Sequence, residues 1–320
     1  MSTSTSTTAS TTTTTATTTA AAAAAAGLPG PLVGADWLAA RRGAGVVLFD
    51  ASVGAHRGAS ARIPGARPFD LDGELSDHTS AVPHTMPGAP AFTEALRALG
   101  VHDTDTVVVY DAQGVYSSAR AWWMLRAMGF DRVAVLDGGL PAWTASGHPV
   151  EPVPAAYDGP RGTFTARLRP GLIVGAEAVA TALADPAAAV LDARTRARYA
   201  GTAPEPRPGL RGGHMPGSVS LPFGELQRDG GVMRPAAELR TAFEAAAGDR
   251  ERLYFSCGSG VTACVLALGA TLAGYRDLAV YDGSWSEWGL PSDRPVATGE
   301  APGEAIGGVA VGAAGESGSL

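Results

Sequence analysis

Short, continuous apolar runs punctuate the middle of the chain: Val46-Val47-Leu48-Phe49, Val107-Val108-Val109-Tyr110, Val190-Leu191 and Leu253-Tyr254-Phe255. Runs of this length without polar alternation suit strands buried on both faces, as in parallel sheets covered by helices. Between them, residues 91–99, 117–128, 176–183, 236–246 and 262–272 read as helices. The alternation predicts an α/β fold, with mostly parallel central sheets flanked by helices. From about residue 147 the chain turns rich in Pro and Gly and poor in large apolar residues, which reads as a linker over 151–170.

The pattern occurs twice. Apolar runs end in Asp50-Ala51 and again in Asp192-Ala193, and Arg62-Ile63-Pro64-Gly65 returns as His214-Met215-Pro216-Gly217. Val107–Asp111 is paralleled by Leu253–Cys257, and Leu136-Asp137-Gly138-Gly139 by Tyr281-Asp282-Gly283-Ser284. Four landmarks in one order at a nearly constant offset mark a tandem duplication. The expected organisation is a first copy at 28–150 and a second at 171–298. A disordered Ser/Thr/Ala tail (1–27) is expected before them, and a flexible tail (299–320) after them.

Composition narrows the function. The chain has 320 residues, 45% hydrophobic and 17% charged, with 24 cations, all Arg, against 31 acidic residues and a net charge of −7. Such a chain is globular and has no basic footprint for nucleic acid. No strongly apolar run is long enough to span a membrane. The Ala20–Ala26 run has no basic segment before it, unlike a secretory signal, so a cytoplasmic location is expected. Two cysteines make no disulfide framework and fit a reducing compartment.

Chemistry concentrates in Cys257-Gly258-Ser259-Gly260-Val261-Thr262. A buried strand runs into Cys257 and a helix begins near Thr262, which places the thiol at the carboxyl end of a sheet. The glycines let the backbone curl until several N–H groups face one spot, and the helix N-terminus adds positive potential there. An anion is favoured in such a nest, so Cys257 reads as a nucleophilic thiolate. Cys264, two helical turns on within an apolar run, reads as core.

The segment 257–262 resembles the active-site loop of the 3-mercaptopyruvate sulfurtransferases of the rhodanese superfamily. Tyr281-Asp-Gly-Ser-Trp-Ser-Glu-Trp288 resembles that family's C-terminal signature, and Arg198-Tyr199 through Glu205-Pro206-Arg207 resembles the stretch before its active site. The likeness spans roughly residues 30–297 and implies two tandem rhodanese-like domains, the first inactive, with Asp111 standing where Cys257 stands in the second. It implies a sulfurtransferase in which Cys257 takes a sulfane sulfur from 3-mercaptopyruvate as a persulfide and passes it on. The acceptor would be cyanide, a small thiol or a reduced thioredoxin-like protein. Neither a metal nor an organic cofactor is called for. Arg198 and Arg207 would bind the donor carboxylate through paired hydrogen bonds. Ser259 would orient or protonate the leaving enolate, and Thr262 would cap the helix and brace the loop. Arg194, Arg196 and Arg211 read as solvated surface residues.

Alternatives follow from the same residues. Thiosulfate as donor is disfavoured because Gly258 and Ser259 are uncharged where thiosulfate enzymes of the family place Arg and Lys. A phosphatase would need a longer loop closed by an Arg, and position 263 is Ala. A non-catalytic binding module would have no use for a loop Cys with two nearby Arg. One departure stands out. The family's first copy has His-Ile-Pro-Gly-Ala, its His proposed to join a relay with the loop Ser, whereas this chain has Arg62. Either the relay is dispensable, or Arg62 supplies charge to the donor, or activity on 3-mercaptopyruvate is weak, and His56, six residues earlier, is the disfavoured substitute. His214 is expected to order a turn. The segment from Phe69-Asp70-Leu71-Asp72 to Pro83-His84 is expected to pack over the site without chemistry, and the aromatics of 110–123 to serve interface and core packing.

Overall fold

The computed structural model describes residues 27–43, 45–57, 61–152 and 156–304. Both expected tails fall largely outside the described residues. Strands follow in the order β1 (Leu32–Val33), β2 (Val46–Asp50), β3 (Arg67–Pro68), β4 (Thr106–Tyr110), β5 (Val133–Leu136), β6 (Ile173–Val174), β7 (Ala188–Asp192), β8 (Val219–Ser220), β9 (Gln227–Arg228), β10 (Val232–Met233), β11 (Arg252–Ser256) and β12 (Asp277–Tyr281). The first five form one sheet, ordered β1-β5-β4-β2-β3, and the second copy repeats it as β6-β12-β11-β7-β8. All pairings within these sheets are parallel, while β9 and β10 form a separate antiparallel pair.

Parallel strands must be covered on both faces, and the helices do this. Five run Ala89–Ala98, Ser118–Ala127, Ala176–Ala184, Ala236–Ala247 and Ala263–Leu272, within two residues of the expected spans. The shorter helices Ala35–Ala39, Gly139–Ala145, Arg196–Ala200 and Ser284–Trp288 are not among those expected. Helix Ala263–Leu272 is buried from Ala263 to Ala270 and carries no charge. It can be apolar all round because one side lies on its own sheet and another meets helix Ser118–Ala127 of the first copy. One continuous apolar core therefore joins Phe49, Phe92 and Trp123 of the first copy to Leu266, Phe243 and Phe255 of the second. Each large side chain removed from water there contributes about 1.5–3 kcal/mol.

The linker is less free than its composition suggests. Gly162, Phe164, Arg167 and Arg169 donate their amides to Arg97, Val101, Met128 and Ala127 of the first copy. Phe164 is buried and meets Phe92 and Phe130 edge-on. This half of the linker is a strap on the first copy, anchored by one aromatic.

Register decides where the chemistry gathers. Asp50 pairs with Tyr110 and Asp192 with Ser256, so each copy aligns the carboxyl ends of its two central strands. Asp111 and Cys257 each follow directly.

Candidate active site

Cys257 leaves β11 into a loop folded around one hydroxyl. Ser284 Oγ accepts the amides of Cys257 and Gly260, both at 3.1 Å, and donates to the Tyr281 carbonyl at 2.8 Å. Ser286 donates both its amide (2.8 Å) and its hydroxyl (2.7 Å) to the Gly258 carbonyl. Gly260 sits at φ +75°, and a Cβ there would meet the Asp282 carbonyl oxygen at 2.7 Å, so only glycine fits this turn. With these contacts made, the amides of Gly258, Ser259, Val261 and Thr262 have no acceptor among the described residues. Free N–H groups beside a helix N-terminus form an anion cradle.

The first copy displays the same cradle filled. The Asp111 carboxylate, fully buried, accepts the amides of Gln113 (2.9 Å), Tyr116 (2.9 Å) and Ser118 (2.8 Å). Burial pushes its pKa up, and the donors at Ser118, Tyr116 and Gln113 act against that rise. A built-in carboxyl group occupies the loop that cannot hold sulfur.

Ser259 receives a partner from the first copy. Its Oγ lies 2.9 Å from His84 Nδ1, and His84 Nε2 lies 3.0 Å from Asp72 Oδ1. Burial, which alone would raise the Asp72 pKa, is outweighed by the Gly54 amide and by His84, so the carboxyl titrates below its ordinary value. Burial also lowers the His84 pKa against the pull of Asp72, with the charges of Arg207 and Arg120 adding to the drop. His84 is therefore neutral at pH 7. With Nε2–H directed at Asp72, Nδ1 accepts the Ser259 hydroxyl.

Arg198 and Arg207 face the loop from the other side. Arg198 donates to Glu205 at 2.5 Å, and a Cβ on Gly258 would stand 3.1 Å from its Nη2. Arg207 Nη1 reaches Ser286 Oγ at 3.4 Å, on the hydroxyl that holds the Gly258 carbonyl. Burial and the negative charges at Cys257 and Asp111 push the Tyr116 phenol up, while Arg198 and Arg207 pull it down. Cys257 itself is 1% exposed, whereas the side chains of Arg198 and His84 are 22% and 16% exposed. The thiol is thus buried, while Arg198 and His84, which contact its loop, are partly exposed. Among the described residues, no group of three or more His, Cys, Asp or Glu is placed to hold a metal ion. No helix among them is long and apolar enough to cross a membrane.

The rhodanese-like domain model matches twice, over residues 34–146 and 175–290. This chain belongs to the rhodanese family. It is 41% identical over 256 residues to "Thiosulfate/3-mercaptopyruvate sulfurtransferase 1, mitochondrial" of Arabidopsis thaliana, covering 74% of this chain and 67% of that one. It is 38% identical over 275 residues to the 3-mercaptopyruvate sulfurtransferase of Escherichia coli K12, covering 82% of this chain and 96% of that one. Among solved structures, SseA of Escherichia coli superposes with a TM-score of 0.71 at 36% identity, covering 80% of this chain and 99% of that one.

Within these rhodanese domains the loop 257–262 and both arginines come together as expected, and Cys264 is fully buried core whose Sγ faces the Gly260 carbonyl at 3.3 Å. His214 orders its turn, stacked on Tyr199 at 3.7 Å and bonded to the Tyr199 carbonyl.

Other expectations are corrected. The imidazole beside Ser259 is His84, from the segment expected to contribute packing alone. Neither Arg62 nor His56 takes that place. Arg62 is 5% exposed and exchanges both backbone hydrogen bonds with Glu151, and His56 ends an exposed turn. Arg194 is no surface residue. It is buried, bonded to both oxygens of Asp192, stacked over Trp285 at 4.2 Å, and joined to Glu205 at 2.7 Å, so it anchors the carboxylate that aims Arg198. Arg211 is half-buried on the carbonyls of Trp288 and Arg294, while Arg196 is exposed on Glu225 as expected. Thr262 occupies the N-cap position but makes no side-chain cap bond. Arg120, from the stretch read as packing, reaches the Gly260 carbonyl of the loop at 3.5 Å, while Tyr116 packs edge-on against Phe223. Asp72 and His84 were hidden because they sit in no periodic element, and His84 meets Ser259 across 175 residues of chain.

Proposed function

We propose that this chain is a sulfurtransferase that moves sulfur from 3-mercaptopyruvate through a Cys257 persulfide to a thiol acceptor. The reading is carried by one observation: the loop that bears the thiol leaves four amides without an acceptor among the described residues, with Arg198 and Arg207 set against the loop and a neutral imidazole bonded to its Ser259. We take 28–150 and 171–298 as the two units, joined by 151–170, with a single thiol-bearing loop in the second.

The donor carboxylate and ketone oxygen lie against Arg198 and Arg207, whose planar forks suit them. The Cys257 thiolate attacks the donor sulfur, so an S–S bond forms while the C–S bond breaks and its electron pair leaves as the enolate of pyruvate. Ser259 and His84 take up the donor's thiol proton and return it to the enolate carbon. The persulfide anion is held by the free amides of Gly258, Ser259, Val261 and Thr262. An acceptor thiolate then attacks the outer sulfur and the Cys257 thiolate leaves. A small thiol or a reduced thioredoxin-like protein suits this step. A reducing compartment such as the cytoplasm keeps such an acceptor and both cysteines reduced.

Incubation with 3-mercaptopyruvate should add about 32 Da at Cys257, and a thiol should remove it with release of sulfide. Cys257→Ser should abolish turnover, and full turnover in that variant would overturn the assignment. Comparing kcat/KM for 3-mercaptopyruvate and thiosulfate, with cyanide as acceptor, decides the donor. A preference for thiosulfate would overturn that part.

A further inference from the structure

His84 is held in a conformation that its own segment does not favour. Its φ is +60°, in the left-handed region that a non-glycine residue occupies at a cost of about 1–2 kcal/mol. Contacts from elsewhere must hold it there. They converge on a single ion pair. Arg120, from the third position of helix Ser118–Ala127, has no exposed side-chain surface and donates through Nη2 to Asp282 Oδ1 at 2.6 Å. The same Nη2 donates to the His84 carbonyl at 2.8 Å, and the other carboxylate oxygen of Asp282 accepts the Met86 amide at 2.8 Å. The two partners thus grip the backbone on either side of the turn that presents the imidazole. Arg120 Nη1 also faces the Gly260 carbonyl at 3.5 Å, within the loop that carries Cys257.

We propose that the Arg120–Asp282 pair is the positioning device of this enzyme, locking the turn of His84 against the Cys257 loop so that the imidazole stays within reach of Ser259. The proposal rests on the relay role of His84 stated above. A buried ion pair contributes little net stability, because desolvation offsets the attraction, so its value here lies in fixing geometry. Asp282 belongs to the second copy and Arg120 to the first, and His84 lies on a first-copy segment that crosses to the second-copy loop. Among the described residues, the only other hydrogen bond to the backbone of residues 84–86 runs from the Asp77 amide to the Thr85 carbonyl, within the same first-copy segment, so the pair is what ties the backbone of that turn to the second copy. The degenerate copy, which cannot carry sulfur, supplies both the imidazole and the cation that aims it.

The test is a double-mutant cycle on the full chain with 3-mercaptopyruvate. Asp282→Asn preserves volume and removes the charge, and Arg120→Lys keeps the charge but cannot bond Asp282 and the His84 carbonyl in the same fork geometry. Each should lower kcat by about 10- to 100-fold, the scale of a roughly 1 Å misplacement, and leave KM within about two-fold. In a His84→Gln background either substitution should lower kcat by less than about two-fold, because its target is already gone. If the losses instead multiply, or if kcat is unchanged while only the melting temperature falls, the pair is structural and the proposal is overturned. Should Arg120→Lys fail to fold, Asp282→Asn carries the same comparison. Wild-type kcat in His84→Gln alone would overturn the relay itself, a result distinct from multiplying losses, which would overturn the positioning alone.

Discussion

Asp72 and His84 of one first-copy segment meet Ser259 of the second copy in a chain of hydrogen bonds, and the protonation of the carboxyl and the imidazole follows from burial and neighbouring charge. Because burial depresses the His84 pKa, the imidazole is neutral at pH 7 and protonates only below the ordinary value of 6.5. The relay needs the neutral form, so kcat should hold as pH falls to 6.5 and decline only below it. A pH–kcat profile checks this, and His84→Gln should remove that limb. Arg194 acts on the donor site through Glu205. Arg194→Ala would leave the carboxylate of Asp192 buried without its cation, which should cost about 3–5 kcal/mol, read as a lowered melting temperature. Glu205→Gln should raise KM for 3-mercaptopyruvate more than it changes kcat, since it loosens Arg198. Burial pushes the Cys264 thiol up to about 12, so native-state alkylation at pH 8 should leave Cys264 unmodified, as peptide mass mapping would reveal.

At the scale of elements, apolar runs and helical periodicity were legible because burial on both faces leaves a compositional mark. The five longest cover helices and the central strands fall where that mark lies, whereas the short helices such as Arg196–Ala200 and Ser284–Trp288 leave too few residues for a period to show. The strap at 162–169 was not legible, since one Phe among Pro and Gly does not change a composition. The Cys257 loop was legible as a motif, and its supports Ser284 and Ser286 were not, because they reach it from after β12. Gly260→Ala tests the loop's geometry. A methyl at φ +75°, with the Asp282 carbonyl at 2.7 Å, should cost about 1–3 kcal/mol and reduce kcat, checked by denaturation and turnover together.

At the scale of the molecule, the two copies share one core through helices Ser118–Ala127 and Ala263–Leu272. Asp137 of the first copy accepts the Met233 amide of the second, and Gly114 lies so close to Gly231 that a Cβ would approach its Cα at 2.8 Å. Unfolding should therefore be a single transition, with turnover and tryptophan fluorescence lost together in urea. Loss of turnover at lower urea than the fluorescence change would show that the copies separate first.

The sequence by itself determined the duplication, the parallel α/β sheets, the thiol loop and the arginine motif, because each is written in neighbouring residues whose spacing matches a local geometry. Only the tertiary structure decided which imidazole serves Ser259, which arginine is buried and which faces the donor, and what fills the cradle of the first copy. Those outcomes depend on packing between segments far apart in the chain, where an Arg or a His has the same letter whether it meets water, a carboxylate or a hydroxyl.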